Sequence, residues 1–522
     1  MAQLNFKGKQ FVQNYHFSVP FHTLETVAKK SVLAKGAKPS LDDNLIIHGD
    51  NLKALKALLP KYAGQVKCIY IDPPYNTGNE KWAYNDKVNS PMMKEWLGKV
   101  VDSEDLTRHD KWLCMMMPRL KLLRELLRED GVIFVSIDDN EQHHLRMLMD
   151  EVFGEENFVA NFIWNHRKSG QNDIDVSLSH NSTICFAKNR DIFRLNPLDI
   201  DDEKFSNPDN DFRGDWVADP MDAPGVRENL MYPILNPNTK GAFMPPTGRH
   251  WRFTKEKFEE ALKDKRIIFG RTGQSKPQYK RFKSEAQEKG VNVSTIWDDV
   301  DTATGGTQEL MSIFNGEKVF ETPKPVGLVE KIIKISTDKN SIILDSFAGS
   351  GTTAHAVLDL NKEDGGNRKF ILVEMEDYAD KITAERVRRV IKGGLGGSFS
   401  YIELGGAIDT GDILSGKRLP SFTDMARYVF YTATGKNIDE KKIREASGFI
   451  GETDEHEVYL LYKPNLEYLK TTALDLEKAK VIAKGKSKKR RLVFAPAKYL
   501  DQDALDEFRI DFAQLPFGVY KI

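Results

Sequence analysis

A short apolar run that ends in an acidic residue and two prolines constrains the fold of this chain more than any other feature. Residues 66–71 are apolar enough to form a short buried strand, and Asp72, Pro73, Pro74 and Tyr75 follow them directly. Because proline lacks an N–H and fixes its own φ, the chain must leave the sheet there in a rigid turn. The turn therefore presents Asp72 and Tyr75 at the C-terminal end of a strand, which is the edge where open α/β sheets bind ligands.

The tetrapeptide 72–75 contains the groups needed to activate an exocyclic aromatic amine, such as N6 of adenine, for methylation. Such an amine is a poor nucleophile because its lone pair is delocalised into the ring. The carboxylate of Asp72 and the carbonyl of Pro73 can accept hydrogen bonds from the amine and stabilise the positive charge that develops during attack. The ring of Tyr75 can stack on an extruded base, which contributes about 1–3 kcal/mol. A rigid turn without catalytic function is the alternative that these four residues leave open.

A glycine-rich turn later in the chain predicts a cofactor site. An apolar strand at 342–345 leads through the turn 346–353 into a helix, and the following strand ends at Glu374. Glycine lets a ligand approach the backbone closely, and the N-terminus of the helix favours a carboxylate or phosphate. An acidic residue at the end of the second strand of such a unit commonly binds ribose hydroxyls. The candidate cofactor ligands are Asp345, Phe347, Ala348, Gly349, Ser350, Gly351, Thr352 and Glu374.

Three ligands compete for this turn. A triphosphate is disfavoured because no lysine follows Gly351, as a P-loop requires. A dinucleotide would use the spacing of Gly349, Gly351 and Ala354, which alone is not specific. S-adenosylmethionine (AdoMet) needs a turn that admits its methionine end and an acidic ribose ligand further on. Residues 345–351 with Glu374 satisfy both needs best, and AdoMet is the cofactor that methylation of an amine requires.

The whole chain sets wider limits. Its 522 residues exceed one hydrophobic core and predict about two to four domains. The net charge of −1 gives no global basic field, so any surface for nucleic acid must be local. Cys68, Cys114 and Cys185 form no C-x-x-C pair, which indicates neither a zinc site nor a disulfide framework. No signal peptide opens the chain and no apolar run is long enough to cross a bilayer, so we expect a cytoplasmic protein without a membrane partner.

The order of strands and helices predicts an α/β fold with a parallel, Rossmann-like sheet. The alternation stops at about Asn165 and returns at Val326, which predicts an insertion. The predicted domains are an N-terminal extension (1–44), the catalytic half of the sheet domain (45–164), an inserted target-recognition region (165–300), the cofactor half of the sheet domain (301–404) and a small C-terminal α/β domain (405–522).

Basic and aromatic residues cluster within the predicted insertion. Interleaved arginine, lysine and aromatic side chains can pair with phosphates, read base edges and stack on bases. An insertion that interrupts the α/β order near the strand ends is therefore a candidate for reading a nucleic-acid sequence, and the alternative is a set of solvated faces. The candidate DNA contacts are Arg167, Lys168, Arg249, Trp251, Tyr279, Lys280 and Arg281.

Other segments have candidate roles of their own. Residues 76–110 are polar and irregular, which predicts a long loop on the substrate side, with a disordered surface excursion as the alternative. His143 and His144 are adjacent on a predicted helix and point to different sides, so we expect ordinary helix residues rather than metal ligands. The basic run Lys484–Arg491 predicts either a phosphate contact or a solvated loop.

The two motifs and their order resemble the amino-methylating DNA methyltransferases of the β type. In that family an Asp-Pro-Pro-Tyr motif precedes the recognition region and a Phe-x-Gly-x-Gly motif follows it. Here Asp72–Tyr75 comes first and Phe347–Gly351 comes last. The turn that contains Asp50 resembles the family's motif for the adenine pocket of AdoMet. Lys324, followed by a proline, resembles the motif that lies near the methionine carboxylate.

Three further stretches, 76–78, 245–251 and 514–520, resemble the modification (Mod) subunits of type III restriction-modification systems. The resemblance implies methylation of adenine N6 in double-stranded DNA at a short asymmetric site, with the target base flipped out of the helix. It also implies a homodimer and a separate restriction subunit that carries helicase and nuclease activity. Aspartate rather than serine before Pro73 favours adenine over cytosine N4.

The resemblance further implies direct transfer of the methyl group, without a metal or a covalent enzyme intermediate. A stand-alone DNA methyltransferase acting on adenine N6 or cytosine N4 is one alternative. A second is an RNA or protein-amide methyltransferase, which more often has asparagine before the two prolines. A third is a DNA-recognition or assembly subunit in which methyl transfer is secondary.

Overall fold

The computed structural model describes residues 4–77, 107–168, 175–270, 272–484 and 487–516. They form two compact units, which are a sheet unit (residues 1–194 and 294–522) and an inserted unit (residues 195–293). Most of the predicted loop 76–110 lies outside the described residues, as do the end of the stretch 514–520 and two residues of the basic run 484–491.

One large mixed sheet organises the sheet unit, and within the described residues it has ten strands. In chain order they are β1 (His22–Thr26), β2 (Leu45–His48), β3 (Val66–Ile71), β4 (Leu127–Ile137), β5 (Phe158–Asn165), β6 (His180–Ala187), β7 (Ile296–Trp297), β8 (Ile342–Asp345), β9 (Lys369–Glu374) and β10 (Ser400–Ala407). Their order across the sheet is β1-β10-β2-β9-β8-β3-β4-β6-β5-β7.

The centre of this sheet is parallel. All neighbours from β10 across to β4 run parallel, whereas β1 and β6 pair antiparallel with β10 and β4. Every residue of β3 is buried. A strand that is apolar at all positions but Lys67, rather than alternating, is typical of a parallel strand covered on both faces. The predicted α/β fold class with a Rossmann-like sheet is therefore confirmed.

The sheet order places the two motif-bearing corners side by side. β3 ends at Ile71, directly before Asp72, and β8 ends at Asp345, directly before the glycine-rich turn. These two strands are parallel neighbours in which Ile69 is paired with Leu344. Because the C-terminal ends of parallel strands meet at one edge, the two corners adjoin. Two motifs that are distant in the sequence therefore share one sheet edge.

Helices connect and cover the parallel strands. Leu55 and Leu58 pack with Ile69 and Ile71 of β3 in one core cluster. The helices of the sheet unit are Lys9–Val12, Tyr15–Ser18, Asn51–Tyr62, Arg108–Leu126, Gln142–Phe153, Ala303–Ile313, Val326–Ser336, Thr352–Asp364, Glu385–Val390, Thr410–Ser415, Phe422–Thr434, Leu466–Thr471, Leu476–Ala483 and Gln502–Glu507.

Two helix boundaries show how local signals act. Helix 51–62 continues past Pro60, although proline commonly ends a helix. The fixed φ of proline suits a helix, and the N–H that it lacks removes a single bond close to the helix end. Helix 108–126 begins at a capping box, in which the Thr107 hydroxyl accepts from the N–H of Asp110 and the Asp110 carboxylate accepts from the N–H of Thr107.

A smaller sheet forms the C-terminal part of the sheet unit. Its core includes Phe430, Ile450, Val458 and Phe494. The first pair of strands is antiparallel and the others are parallel. Residues 405–522, predicted as a separate domain, belong to the same compact unit as the large sheet. In sheet order the strands are Phe449–Glu452, His456–Leu460, Arg490–Ala495 and Ile510–Gln514.

The inserted unit is built from short elements around a small core that includes Met221, Ile234, Trp251 and Phe258. It is narrower than the predicted region 165–300, because β6 pairs with β4 and β5 and so belongs to the large sheet. Its strands are Trp216–Pro220, Asp222–Pro224, Ile234–Leu235, Ala242–Phe243, Arg249–Trp251, Ile267–Ile268 and Gln278–Phe282, and its helices are Lys255–Lys263 and Lys283–Lys289.

Among the helices of the described residues, none combines the length and the apolar character that a membrane crossing requires.

Candidate active site

A cavity of about 1710 Å³ opens where β3, β4, β8 and β9 end. It brings together the acidic–proline turn, most of the glycine-rich turn and part of the stretch that follows β5. The sequence-predicted site residues that line it are Asp72, Pro73, Pro74, Tyr75, Arg167, Lys168, Lys324, Asp345, Phe347, Ala348, Gly349, Ser350, Thr352 and Glu374.

The acidic–proline turn is held from several sides. The Tyr75 hydroxyl donates to Asp72 Oδ1 at 2.7 Å, and Trp112 Nε1 donates to the carbonyl of Pro74 at 2.7 Å. The ammonium of Lys324 forms an ion pair with Asp72 Oδ2 and lies 5.1 Å from the centroid of the Tyr75 ring. Burial and the neighbouring Asp72 raise the pKa of Tyr75 well above its usual value. Tyr75 therefore stays a hydroxyl donor and fixes the orientation of the carboxylate.

A buried carboxylate that the sequence did not single out supports this turn from behind. Glu141 is fully buried, and it accepts hydrogen bonds from the side chain of Asn76, from His109 Nδ1 at 2.7 Å and from His144 Nδ1 at 2.8 Å. Asn76, the residue after the motif, has a φ of +58°, and its amide also donates to the carbonyl of Arg108. Glu141 thus joins the end of the turn to two helices.

Ligand-type atoms of His109, Glu141 and His144 lie within 4.8 Å of one another, a spacing that would also admit a metal ion. Both oxygens of Glu141 already accept hydrogen bonds from the two imidazoles. His144, which the sequence placed as an ordinary helix residue, is thus one partner of a buried carboxylate. The absence of a metal stays a prediction.

The glycine-rich turn is shaped by two carboxylates. Asp345 accepts from the N–H of Phe347 at 3.0 Å and from the hydroxyl of Thr353 at 2.6 Å. Glu374 accepts from the N–H of Gly349 at 2.8 Å and from the N–H groups of the two residues that follow it. Gly351 has a φ of +81°, and a Cβ there would lie 2.9 Å from a backbone carbonyl oxygen, so this position requires glycine.

Both carboxylates are buried without a cationic side chain at hydrogen-bond distance among the described residues. Burial raises the pKa of Asp345 to about 7 and the pKa of Glu374 to about 7. A ligand that brings positive charge or hydroxyl donors into the cavity would favour the ionised form of each. The electrostatics of this corner therefore suit a cationic ligand with sugar hydroxyls.

Several cavity residues were missed by the sequence analysis. Phe320 and Tyr378 form an edge-to-face aromatic pair, with ring centroids 5.6 Å apart, beside Gly349 and Glu374. Asn181, at the start of β6, donates to the Tyr75 hydroxyl at 3.4 Å. Their positions depend on long-range pairing, and no local pattern marks them. The cavity lining also contains three residues that follow the end of β4, namely Asp138, Asp139 and Asn140. Their position directly after an apolar strand was a signal in the sequence that could have identified them.

Two predicted cofactor residues lie outside the cavity lining. The carboxylate of Asp50 accepts from the N–H of Lys53 at 3.1 Å and so caps helix 51–62. Gly351 is buried beneath the turn. Lys324 does line the cavity, but its ammonium is paired with Asp72. The predicted cofactor contacts of Asp50 and Gly351 therefore gain no support from the cavity.

The predicted DNA contacts divide into two groups. Arg167 and Lys168 line the cavity. The others lie in the inserted unit, where Trp251 is fully buried and donates to the carbonyl of Tyr232 at 2.7 Å. Lys280 is 2% exposed and pairs with two aspartates. A buried side chain offers no face to a base or phosphate, so we withdraw Trp251 and Lys280 as DNA contacts.

The remaining three candidates in the inserted unit keep some exposed surface. Arg249 pairs with Asp222, and Arg281 pairs with Asp219 at 3.0 Å while its side chain stays 42% exposed. The Tyr279 hydroxyl accepts a hydrogen bond from Arg266 at 2.7 Å. Contacts between these three residues and DNA stay a prediction.

Comparison with known proteins gives a consistent family. Residues 66–385 match the family model described as DNA methylase. The chain is 34% identical over 421 residues to the type III restriction-modification enzyme StyLTI Mod subunit of Salmonella typhimurium, covering 74% of this chain and 62% of that protein. It is 39% identical over 328 residues to the type II methyltransferase M1.MboII of Moraxella bovis, covering 60% of this chain and 90% of that protein.

The solved structure of the cytosine-N4-specific PvuII DNA methyltransferase is also similar, with 14% identity, a TM-score of 0.35 and coverage of 70% of this chain and 97% of that one. The chain spans about three-fifths of the length of the StyLTI Mod subunit.

Proposed function

The chain belongs to the DNA methylase family, and from that premise we propose that it is a site-specific DNA methyltransferase that transfers the methyl group of AdoMet to N6 of adenine in duplex DNA. The observation that carries this proposal is the shared sheet edge. β3 delivers Asp72 and β8 delivers the glycine-rich turn into one cavity. A methyl donor and an amine acceptor must meet within van der Waals distance, and two adjoining corners provide that geometry.

The cavity fits AdoMet by the chemistry of its donors. AdoMet carries a cationic sulfonium and an ammonium group, and the buried carboxyls of Asp345 and Glu374 suit such charges. Glu374 is the candidate ligand of the ribose hydroxyls, and Phe320 with Tyr378 offers aromatic faces to an adenine ring. When bound, AdoMet supplies an electrophilic methyl group. All other tasks in the reaction fall to the side chains and backbone of this chain.

The acidic–proline turn acts on the base. The Asp72 carboxylate and the Pro73 carbonyl accept from the target amine, hold its lone pair toward the donor and stabilise the charge that grows on nitrogen. Tyr75 orients Asp72 through its hydroxyl and offers its ring to the flipped base. The Lys324 ammonium pairs with the same carboxylate. Lys324 therefore stands where a cationic, tetrahedral nitrogen is best stabilised.

The test is substitution of Asp72. Purified Asp72→Ala and Asp72→Asn should lose methyl transfer to duplex DNA by about a thousandfold or more, because both remove the charge that stabilises the transition state. Binding of AdoMet by calorimetry should change by less than about threefold. Glu321→Gln, which changes an exposed carboxylate at the cavity rim, is the matched control.

The product and substrate are read in the same assay. Labelled AdoMet is offered to duplex DNA, RNA and protein, and modified nucleosides are separated by mass spectrometry. N6-methyladenine in DNA is the expected product. N4-methylcytosine would replace the proposed base, and transfer mainly to RNA or protein would replace the proposed substrate. Full methylation by Asp72→Ala would remove Asp72 from the catalytic role.

The biological setting is a second part of the proposal. The similarity to the StyLTI Mod subunit supports a modification subunit of a type III restriction-modification system, which would act in the cytoplasm as a homodimer with a restriction subunit of helicase and nuclease activity. Residues 165–300 would read the DNA site. Copurification of a nuclease with the tagged protein from its own cells tests the partner, and light scattering tests the dimer.

One observation favours a stand-alone methyltransferase instead. The chain is also 39% identical over 328 residues to the type II methyltransferase M1.MboII of Moraxella bovis. If the purified chain methylates one specific site at full rate and no nuclease copurifies, the stand-alone function replaces the type III assignment.

A further inference from the structure

A fully buried arginine lies directly beneath the glycine-rich turn. Arg386, on helix 385–390, has no exposed surface. Its Nη1 donates to the Ser350 hydroxyl at 3.1 Å and to the Thr352 hydroxyl at 2.9 Å, and its Nη2 lies 3.2 Å from His355 Nδ1. Ser350 and Thr352 line the cavity. Both hydroxyls that the guanidinium contacts therefore belong to residues of the cavity lining.

The positive charge of Arg386 is poorly matched inside the protein. Its nearest carboxylate is that of Glu309, at 4.0 Å. Burial raises the pKa of Glu309, which weakens this partner's charge, and burial lowers the pKa of Arg386 to about 10. The Nε of Arg386 has no hydrogen-bond partner among the described residues. A buried cation without a close anion is costly unless something else supplies the negative charge.

The other neighbours of Arg386 do not supply this negative charge. Burial, reinforced by Arg386, lowers the pKa of His355 to about 3, so the imidazole is neutral and accepts a hydrogen bond through Nδ1. Asp359 lies on the far side of that imidazole, 3.2 Å from His355 Nε2. Neither group reaches the two hydroxyls that face the cavity.

The bonds from Arg386 determine where the hydroxyl protons of Ser350 and Thr352 can point. Arg386 donates to both oxygens, so each hydroxyl proton must point elsewhere. The proton of Thr352 goes to the carbonyl of Lys324 at 3.1 Å. Ser350 lies 3.3 Å from Thr352, and its own proton can be directed toward Thr352 or into the cavity. Donation by a guanidinium polarises a hydroxyl and makes it a stronger donor to an anion.

We propose that Arg386 is a positioning residue that makes this end of the cavity select a ligand bearing a carboxylate. It acts through the Ser350 hydroxyl, whose proton can point into the cavity, while its bond to Thr352 holds that neighbouring hydroxyl on the carbonyl of Lys324. The inference rests on the proposed cofactor, whose amino-acid carboxylate would complete the charge of Arg386. A purely structural role, in which Arg386 only ties its helix to the turn, would make affinity for every ligand of the cavity depend on it equally.

The experiment measures binding rather than activity. Calorimetry compares two ligands with an amino-acid end, AdoMet and S-adenosylhomocysteine, with two that lack the carboxylate, decarboxylated AdoMet and 5′-methylthioadenosine. Arg386→Met should weaken the first pair by about tenfold or more and the second pair by less than about twofold. Arg386→Lys keeps the positive charge but loses the planar set of donors of the guanidinium. Its affinity for AdoMet and S-adenosylhomocysteine should lie between those of wild type and Arg386→Met.

Controls separate selection from folding. Arg389→Met, on the same helix, removes a partly exposed arginine that pairs with Glu385, and it should leave all four affinities within about twofold. If Arg386→Met does not fold, the double variant Ser350→Ala with Thr352→Val removes the relay and leaves the guanidinium. It should show the same selective loss.

Equal weakening of all four ligands, or no weakening of any, would overturn the role of Arg386. Wild-type protein that binds none of the four would overturn the proposed cofactor, and this inference with it. Wild-type protein that binds AdoMet well, while the variants lose no selectivity, would overturn only the inference.

Discussion

The acidic–proline corner of the sheet unit and the basic–aromatic stretch 249–283 of the inserted unit were both predicted to bind ligands, and the structure uses them differently. At the corner, Asp72, Tyr75 and Lys324 face one cavity. In the inserted unit, Trp251 lies in the hydrophobic core, and Lys280 is buried and forms ion pairs with two aspartates.

The difference comes from what fixes each side chain. At the corner, two prolines and the end of a parallel strand dictate where the chain goes, so the residues cannot be drawn into the core. The inserted unit has short strands, and aromatic side chains make up half of the buried residues in its core cluster. A motif tied to backbone geometry therefore predicts a site, whereas a cluster of residue types does not separate a binding surface from a core.

The largest expected effect tests the core role of Trp251. Trp251→Ala should destabilise the inserted unit by about 3–5 kcal/mol, because it removes a fully buried indole and leaves a cavity. Hydrogen exchange within 195–293 measures this loss, and AdoMet binding should be unchanged. Phe212→Ala, at a residue 95% exposed, should cost less than about 0.5 kcal/mol. A stable Trp251→Ala protein with altered site choice would make Trp251 a reader after all.

The second effect sharpens the account of the corner. Ribose hydroxyls donate best to an ionised carboxylate, and the pKa of Glu374 is raised to about 7. AdoMet affinity should therefore rise by about tenfold as the pH increases from about 6 to about 8. Glu374→Gln should reduce that slope, and any slope that survives reports Asp345. An unchanged slope in Glu374→Gln would show that Glu374 is not a cofactor ligand.

The same carboxyl has the opposite effect on the stability of the protein without cofactor. A raised folded-state pKa means that the folded state holds its proton more tightly than the unfolded state does. This contribution to the free energy of unfolding is complete below the unfolded pKa and is lost as the pH rises through about 7. In denaturant titrations of the protein without cofactor, Glu374→Gln should therefore reduce the fall in stability between about pH 6 and about pH 8.

A smaller effect tests the part of the stretch that stays exposed. Arg281→Ala should weaken DNA binding by about three- to tenfold and reduce the slope of log affinity against log salt by about one, as loss of one phosphate contact does. AdoMet affinity should not change. Lys318→Ala, at an exposed lysine of the sheet unit, is the control. An unchanged salt slope would show that Arg281 makes no phosphate contact and serves only in its ion pair with Asp219.

The last prediction is that removal of metal ions has no effect on the protein. Both oxygens of Glu141 are engaged by His109 and His144 as hydrogen bonds, so a metal is not needed to hold the three groups. Dialysis against a chelator should change neither the melting temperature nor methyl transfer. Metal analysis that finds about one zinc ion per chain, lost together with activity on dialysis, would turn this cluster into a metal centre.

Local sequence was sufficient for the elements that carry the proposed chemistry. The apolar runs before Asp72, Asp345 and Glu374 are parallel strands, and each acidic residue stands at or just beyond a strand end. The sequence was not sufficient to predict which charged side chains are buried. Glu141 and Arg386 look like ordinary surface residues of helical segments, and only partners distant in sequence explain their burial.

The edges of the insertion were also beyond local signals. β6 carries polar residues at its start, and its place in the large sheet depends on pairing with β4 and β5. The sequence predicted a region from 165 to 300, and the structure separates residues 195–293 as a compact unit. Which residues read the DNA site stays a prediction.

The ion pair between Asp72 and Lys324 joins residues 252 positions apart. Ribosomes add about 5–20 residues per second, so roughly 13 to 50 seconds separate the emergence of these two residues during translation. Throughout that interval β3 lacks its neighbour β8 and presents an unpaired edge. The catalytic centre is thus assembled late in biosynthesis, and nascent chains stalled before residue 324 should depend on chaperones to stay free of aggregates.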